Sequence, residues 1–208
     1  MRVLPSGTTA LLVELEDLDG VLGLYAALSD DLPAGVVDLV PAARTVLVII
    51  DPELTTLSAV EDTLRRTTPG EDPLEADESG ELVEIPVSYD GEDLEEAARL
   101  LGCDVAELVR RHTGEEWQVA FCGFAPGFGY LTSHGWRAEV PRRSSPRTKV
   151  PPGSVGLAGA FTGVYPRESP GGWQLIGRTD LTMFDPFREP AALLRPGVRV
   201  RFVDEAPR

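Results

Sequence analysis

The sequence is poor in the residues that usually carry metal and redox chemistry. Its 208 residues include two cysteines, Cys103 and Cys122, and two histidines, His112 and His134. Neither pair has the spacing of a zinc ligand set or a redox dithiol, so no metal is expected on this chain. Two cysteines without a secretory signal read as reduced thiols of a cytoplasmic protein. No apolar run approaches the ~20 residues that span a bilayer. The opening "MRVLPSGTTALLVELED" reaches acidic residues before a signal-type apolar core can develop, so no membrane partner is expected. Neither G-x-x-x-x-G-K-[S/T] nor a helix-opening G-x-G-x-x-G occurs. "PPGSVG" around Ser154 lacks the G-x-S-x-G spacing of a nucleophile elbow and reads as a turn before a strand. Lys149 is the only lysine, and its context "RTKVPPG" is not a biotin-acceptor A-M-K-M, so this chain carries no biotin.

What is present is acid, unevenly spread. The net charge is −15, and residues 1–92 hold 20 Asp/Glu against 4 Arg. An acidic first half repels phosphate backbones and excludes nucleic acid as an expected partner. The cations belong to the second half, so where they gather there matters.

The pattern predicts an α+β protein of two parts, residues 1–82 and 83–208. In the first, "TALLVEL" reads as a strand and "VLGLYAALSDD" as a helix. "VVDLVPAARTVLVII" reads as two strands about a turn at Pro41. "LTTLSAVEDTLRRT" reads as a helix with Leu54, Leu57, Val60 and Leu64 on one face. This order suggests a small split βαβ-type domain, with "LVEIPV" as a candidate closing strand. The acidic "TPGEDPLEADESGE" reads as a linker. Two short helices follow, "DLEEAARLLG" and "DVAELVRRHT", with Gly102 as C-cap and Asp104 as N-cap. From Glu116 onward, short apolar runs alternate with Gly/Pro-rich connections, and only "EPAALL" reads as a helix. Such spacing predicts a closed or nearly closed β-barrel.

Three segments of the second half look chemically loaded. In "FCGFAPGFGYL", Gly123, Pro126 and Gly127 interrupt Phe124, Phe128 and Tyr130. Pro126-Gly127 suits a type II turn in which glycine takes the positive φ, and bare glycine lets a ligand reach main-chain N–H groups. In "RAEVPRRSSPRTKVPPGS", Arg137, Arg142, Arg143, Arg147 and Lys149 are opposed only by Glu139, and guanidinium matches carboxylate and phosphate geometry. In "TGVYPRESPGGWQLIGRT", Thr162, Tyr165 and Ser169 supply hydroxyls, while Gly171, Gly172 and Trp173 repeat the glycine–aromatic theme. On adjacent strands the three would frame an anion-accepting cleft.

These segments, with "FDP" and the closing "PGVRVRF", resemble the family of 5-oxoprolinase B subunits. The broader group is the carboxyltransferase C-subdomain proteins, which includes the sporulation kinase inhibitor KipI and allophanate hydrolase subunit 1. The resemblance runs from about Val83 to Val203, with "HT" at His112-Thr113 also fitting. It implies a cyclophilin-like β-barrel behind the N-terminal domain. It also implies a cytoplasmic chain with two partners, the C subunit of the enzyme (itself a related barrel protein) and the A subunit. Together they would open 5-oxo-L-proline to L-glutamate. That activity uses ATP with Mg2+, on this chain or on a partner, and a plausible role for ATP is to phosphorylate the lactam oxygen. Carried onto this sequence, Arg142, Arg143, Arg147 and Lys149 neutralise anionic charge, and His112 is the candidate for proton transfer, with helix-end capping as its alternative role. Gly123, Phe124, Pro126, Gly127, Phe128, Tyr130, Ser154, Thr162, Tyr165, Ser169, Gly171, Gly172 and Trp173 surround the small-molecule substrate. The resemblance leaves two rivals, a kinase-binding protein of the KipI type and a carboxyltransferase part acting on urea- or allophanate-like substrates.

Overall fold

A computed structural model describes residues 1–68 and 82–205. The chain divides into two compact units, Met1–Glu78 and Ser79–Arg208, and each is described by itself. The acidic "TPGEDPLEADESGE" lies almost wholly outside the described residues.

The first unit is one four-stranded antiparallel sheet with two helices. Its strands are β1 (Arg2–Pro5), β2 (Ala10–Glu14), β3 (Val36–Pro41) and β4 (Thr45–Ile50), in the order β1-β2-β4-β3. Helix α1 (Leu18–Asp30) joins β2 to β3, and β4 lies antiparallel between them. The three elements therefore form a split βαβ unit. Asp17 starts α1 by accepting from Gly20 N–H at 2.9 Å, and Thr56 starts α2 (Leu57–Arg66) by accepting from Ala59 N–H at 3.3 Å. Val13, Val46, Val48, Leu24 and Leu64 meet in a core with essentially no exposure. Two expectations change here. The sheet's outer strand is β1, not "LVEIPV", and Leu54 precedes α2 and is 72% exposed because the helix begins only after the Thr56 cap.

The second unit is a barrel. Strands β5 (Leu82–Val87), β6 (Trp117–Cys122), β7 (Gly129–Thr132), β9 (Ser154–Ala158), β10 (Phe161–Val164), β12 (Gln174–Arg178) and β13 (Arg199–Asp204) run in the order β12-β9-β10-β7-β6-β13-β5. Immediately after β5, Ser88 exchanges both backbone hydrogen bonds with Arg178 of β12, at 2.9 and 3.0 Å. That bridge joins the two edge strands and all but closes the ring. "LVEIPV" is thus a barrel strand, parallel to β13. Helices α3 (Leu94–Leu100) and α4 (Val105–Gly114) pack on it, with Gly102 at φ 67 between them and Asp104 accepting from Glu107 N–H at 2.7 Å. A separate two-stranded ribbon pairs β8 (Arg147–Val150) with β11 (Ser169–Gly171). "EPAALL" is not helical: Ala192 bridges to Phe184, and Leu194 is buried in the barrel core.

Candidate functional site

The interrupted "FCGFAPGFGYL" becomes a turn between β6 and β7. Phe128 N–H donates to Ala125 C=O at 2.9 Å, with Pro126 and Gly127 in the middle and Gly127 at φ 84, as a type II turn requires. Gly127 is bare for a reason internal to the fold. A Cβ there would stand 2.6 Å from Phe184 Cβ and 3.2 Å from Met183 O, so the chain itself, and no ligand, occupies that approach. Gly123 and Pro126 shape the same turn. Phe124 is the residue whose position the sequence does not foretell: it is the one non-glycine residue at positive φ among those described, at 65°, and the residue is 55% exposed. A left-handed conformation costs a non-glycine residue on the order of 1 kcal/mol.

The turn faces the β8–β11 ribbon across a cluster of rings. Phe128, buried, has its centroid 5.3 Å from Trp173, 5.4 Å from Tyr165, 5.0 Å from Tyr130 and 5.3 Å from Phe124, all edge-on. Phe124, Phe128, Tyr130, Tyr165 and Trp173, with Gly171, Gly172 and Arg142, line a recess of about 80 Å³. Burial pushes both tyrosine hydroxyls up from their ordinary pKa, and the positive charge of Arg142 opposes the rise at each. Arg142 is exposed and makes no ion pair among the described residues. The recess therefore joins an apolar wall, two neutral phenols and one unneutralised guanidinium. That combination suits a small ring bearing a carboxylate.

Behind the recess lies a charged seam that the sequence reading missed. Asp93 is 4% exposed at its side chain, and its carboxylate takes two parallel bonds from Arg147, at 2.8 and 2.9 Å. It also accepts from Arg143 Nη1 and, at 2.8 Å, from Leu175 N–H. Burial is the strongest single influence on this carboxyl and opposes ionisation. The hydrogen bonds of Arg147 and Leu175 and the charges of Arg147 and Arg143 together outweigh it and hold the pKa below the usual carboxylate value. Glu92, 77% exposed, meets Arg147 from the outside at 2.9 Å. Gly91 makes this arrangement possible, because a Cβ there would lie 2.3 Å from Leu175 O.

Other expected site residues lie elsewhere. His112 is fully buried: its Nδ1 meets Tyr89 Oη at 2.7 Å and its Nε2 meets Thr162 Oγ1 at 2.9 Å. Thr162 donates to Gly156 C=O at 3.2 Å, so it accepts from His112 Nε2–H, and Nδ1 accepts from Tyr89. Phe202 and Trp117 pack on the ring at 4.4 and 5.2 Å between centroids, and burial pulls its pKa down to about 3. A neutral imidazole sealed among aromatic rings with both nitrogens engaged is a core bolt, and the proton-transfer expectation for His112 is withdrawn. Thr162 belongs to the same core group. Ser154 is buried and donates to Pro151 C=O at 2.8 Å, as a turn residue does. Lys149 is exposed and pairs with Glu168 at 3.0 Å, while Ser169 donates to Arg167 C=O at 3.3 Å; neither lines the recess. Among the described residues no group of three or more His, Cys, Asp or Glu gathers as a metal site, and no helix is long and apolar enough to cross a membrane.

A nearly closed barrel with an α+β unit before it is the architecture of carboxyltransferase-type proteins, and known proteins bear out that class. The family model for the carboxyltransferase domain, subdomain C and D, matches residues 1–194. The chain belongs to that family. It is 44% identical over 179 residues to the 5-oxoprolinase B subunit of Escherichia coli O157:H7, covering 84% of this chain and 80% of that protein. It is 51% identical over 125 residues to the 5-oxoprolinase B subunit of Bacillus subtilis strain 168, covering 59% and 52%. The crystal structure of TTHA0988 superposes with a TM-score of 0.75 at 34% identity, covering 96% of this chain and 40% of that one. The chain thus spans about half of the Bacillus relative and two fifths of TTHA0988.

Proposed function

We propose that this chain is the B subunit of an ATP-dependent 5-oxoprolinase, opening 5-oxo-L-proline to L-glutamate in the cytoplasm together with the enzyme's C and A components. One observation carries the reading: an unneutralised Arg142 stands at the rim of a small aromatic recess in a chain related to proteins of that name. The substrate is a five-membered lactam with one carboxylate. Its methylene groups suit the aromatic lining beside the exposed Phe124, and its carboxylate suits the planar fork of Arg142. Tyr130 and Tyr165 stay protonated and can donate to the lactam oxygen.

The recess does not fit a nucleotide. Its volume of about 80 Å³ falls well short of the roughly 300–1,000 Å³ of pockets that enclose larger ligands. A second cavity of about 460 Å³ on the same unit, lined by Arg111, Glu115, Trp136 and Arg137 among others, is within that range, so ATP and its Mg2+ are left to this chain or to its partners. The test is glutamate formation from 5-oxoproline by the reconstituted complex, with and without ATP. ATP-dependent glutamate is expected, with roughly a tenfold rise in KM for 5-oxoproline in Arg142→Ala. A complex that forms no glutamate from 5-oxoproline overturns the reading.

A further inference from the structure

Arg143 and Arg147 are placed by an acid that the reaction itself does not require. The Asp93 carboxylate receives four N–H donors: two from Arg147, one from Arg143 and one from Leu175. A carboxylate offers about four lone-pair directions, so Asp93 has nothing left with which to touch a ligand. It does not even cap its own helix, although it stands at the N-cap position of α3. Its bonds instead reach three separate pieces of chain that converge on the recess. Arg143 also donates its backbone N–H to Gly172 C=O at 2.8 Å, Arg147 pairs in register with Gly171, and Leu175 follows Trp173 by two residues.

We propose that Asp93 is the positioning residue of the recess: by drawing Arg143 and Arg147 inward it fixes the Gly171–Trp173 wall and leaves Arg142 as the one guanidinium facing the substrate carboxylate. The proposal rests on the function given above. Without Asp93, Arg143 loses its counter-charge and Arg147 keeps only exposed Glu92, so both guanidinium groups are freer to compete for the same anion, and the wall they brace loosens. Asp93 acts through the arginines and never on the reacting atoms.

The reconstituted complex carrying Asp93→Asn tests this, with Arg147→Lys as the gentler variant and Glu92→Gln as the comparison. Asp93→Asn is expected to raise KM for 5-oxoproline roughly tenfold while KM for ATP stays within about twofold, as loss of substrate placement requires. Arg147→Lys keeps the charge but loses the fork, and shifts the same constant about threefold. Glu92→Gln removes an exposed partner and shifts it less than about twofold. If Asp93→Asn does not fold, Arg147→Lys decides. Unchanged KM for 5-oxoproline in both variants overturns the proposal, and so does a parallel rise in both constants. Amide hydrogen exchange on the chain alone supplies a readout independent of substrate. Arg147→Lys should lower protection at residues 143 and 171–175 and leave strands β1 to β4 untouched; equal protection there overturns the proposal even if the complex proves to act on something other than 5-oxoproline.

Discussion

Asp93 and His112 are both titratable groups shut inside the second unit, and burial has opposite outcomes for them. Around His112 every neighbour is neutral: two hydroxyls satisfy the ring nitrogens and aromatic rings surround them. Nothing offsets the cost of a buried charge, so the imidazole stays uncharged. Around Asp93 two guanidinium groups and a backbone N–H outweigh the same cost, and the carboxylate stays charged. Burial alone therefore does not say whether a polar group is inert. Here the neutral centre only holds the core, whereas the charged one borders the recess and arranges its wall.

The contrast can be broken hardest at the charged centre. Asp93→Ala leaves Arg143, 35% exposed, without its acid and Arg147 with exposed Glu92 alone, and should destabilise the second unit by about 3 kcal/mol in urea unfolding, the low end of the cost of removing one partner of a buried pair. Acid titration separates the two centres next. His112 has a folded pKa of about 3 against 6.5 for the free side chain, so below pH 6.5 the unfolded chain takes up a proton that the folded chain refuses. Stability then falls by about 1.4 kcal/mol per pH unit on acidification, and His112→Gln should remove that share of the slope. Asp93 works in a lower window. Its folded pKa lies below the unfolded one, so its contribution is complete above about pH 4 and is lost only as pH falls further. Tyr89→Phe sharpens the neutral centre by leaving His112 Nδ1 unsatisfied, at about 1–2 kcal/mol by thermal or urea melts. Lys149→Ala closes the series at under about 0.5 kcal/mol, because its bond to Glu168 is exposed at both ends.

Local rules read the local features well. The α1 and α2 helices, the split βαβ order, the Pro126-Gly127 turn and the Asp104 cap follow from spacing and turn chemistry within a few residues. The three loaded segments contain the eight residues that line the recess, along with others, such as Ser154, Thr162 and Ser169, that do not. What escaped depends on contacts distant in sequence. The parallel pairing of Leu82–Val87 with Arg199–Asp204 leaves no trace in either segment. The identity of the arginines' acid also escaped, because "YDGED" offers three acidic residues and only the fold selects Asp93. His112 is a different kind of miss. The sequence offers it as a proton-transfer candidate, yet it lies one helical turn beyond buried Leu108 on the same face of α4, and that spacing is the available sign of its burial.

The side-by-side course of β5 and β13 has a mechanical consequence. They are the first and last strands of the barrel, run in the same direction and stay in register over six residue pairs. A pull on the barrel through its two ends drags Leu82 one way and Asp204 the other, loading those backbone bonds together in shear instead of peeling them singly. The unit should resist traction along that line far better than its modest size suggests, and yield readily when tugged crosswise through a loop.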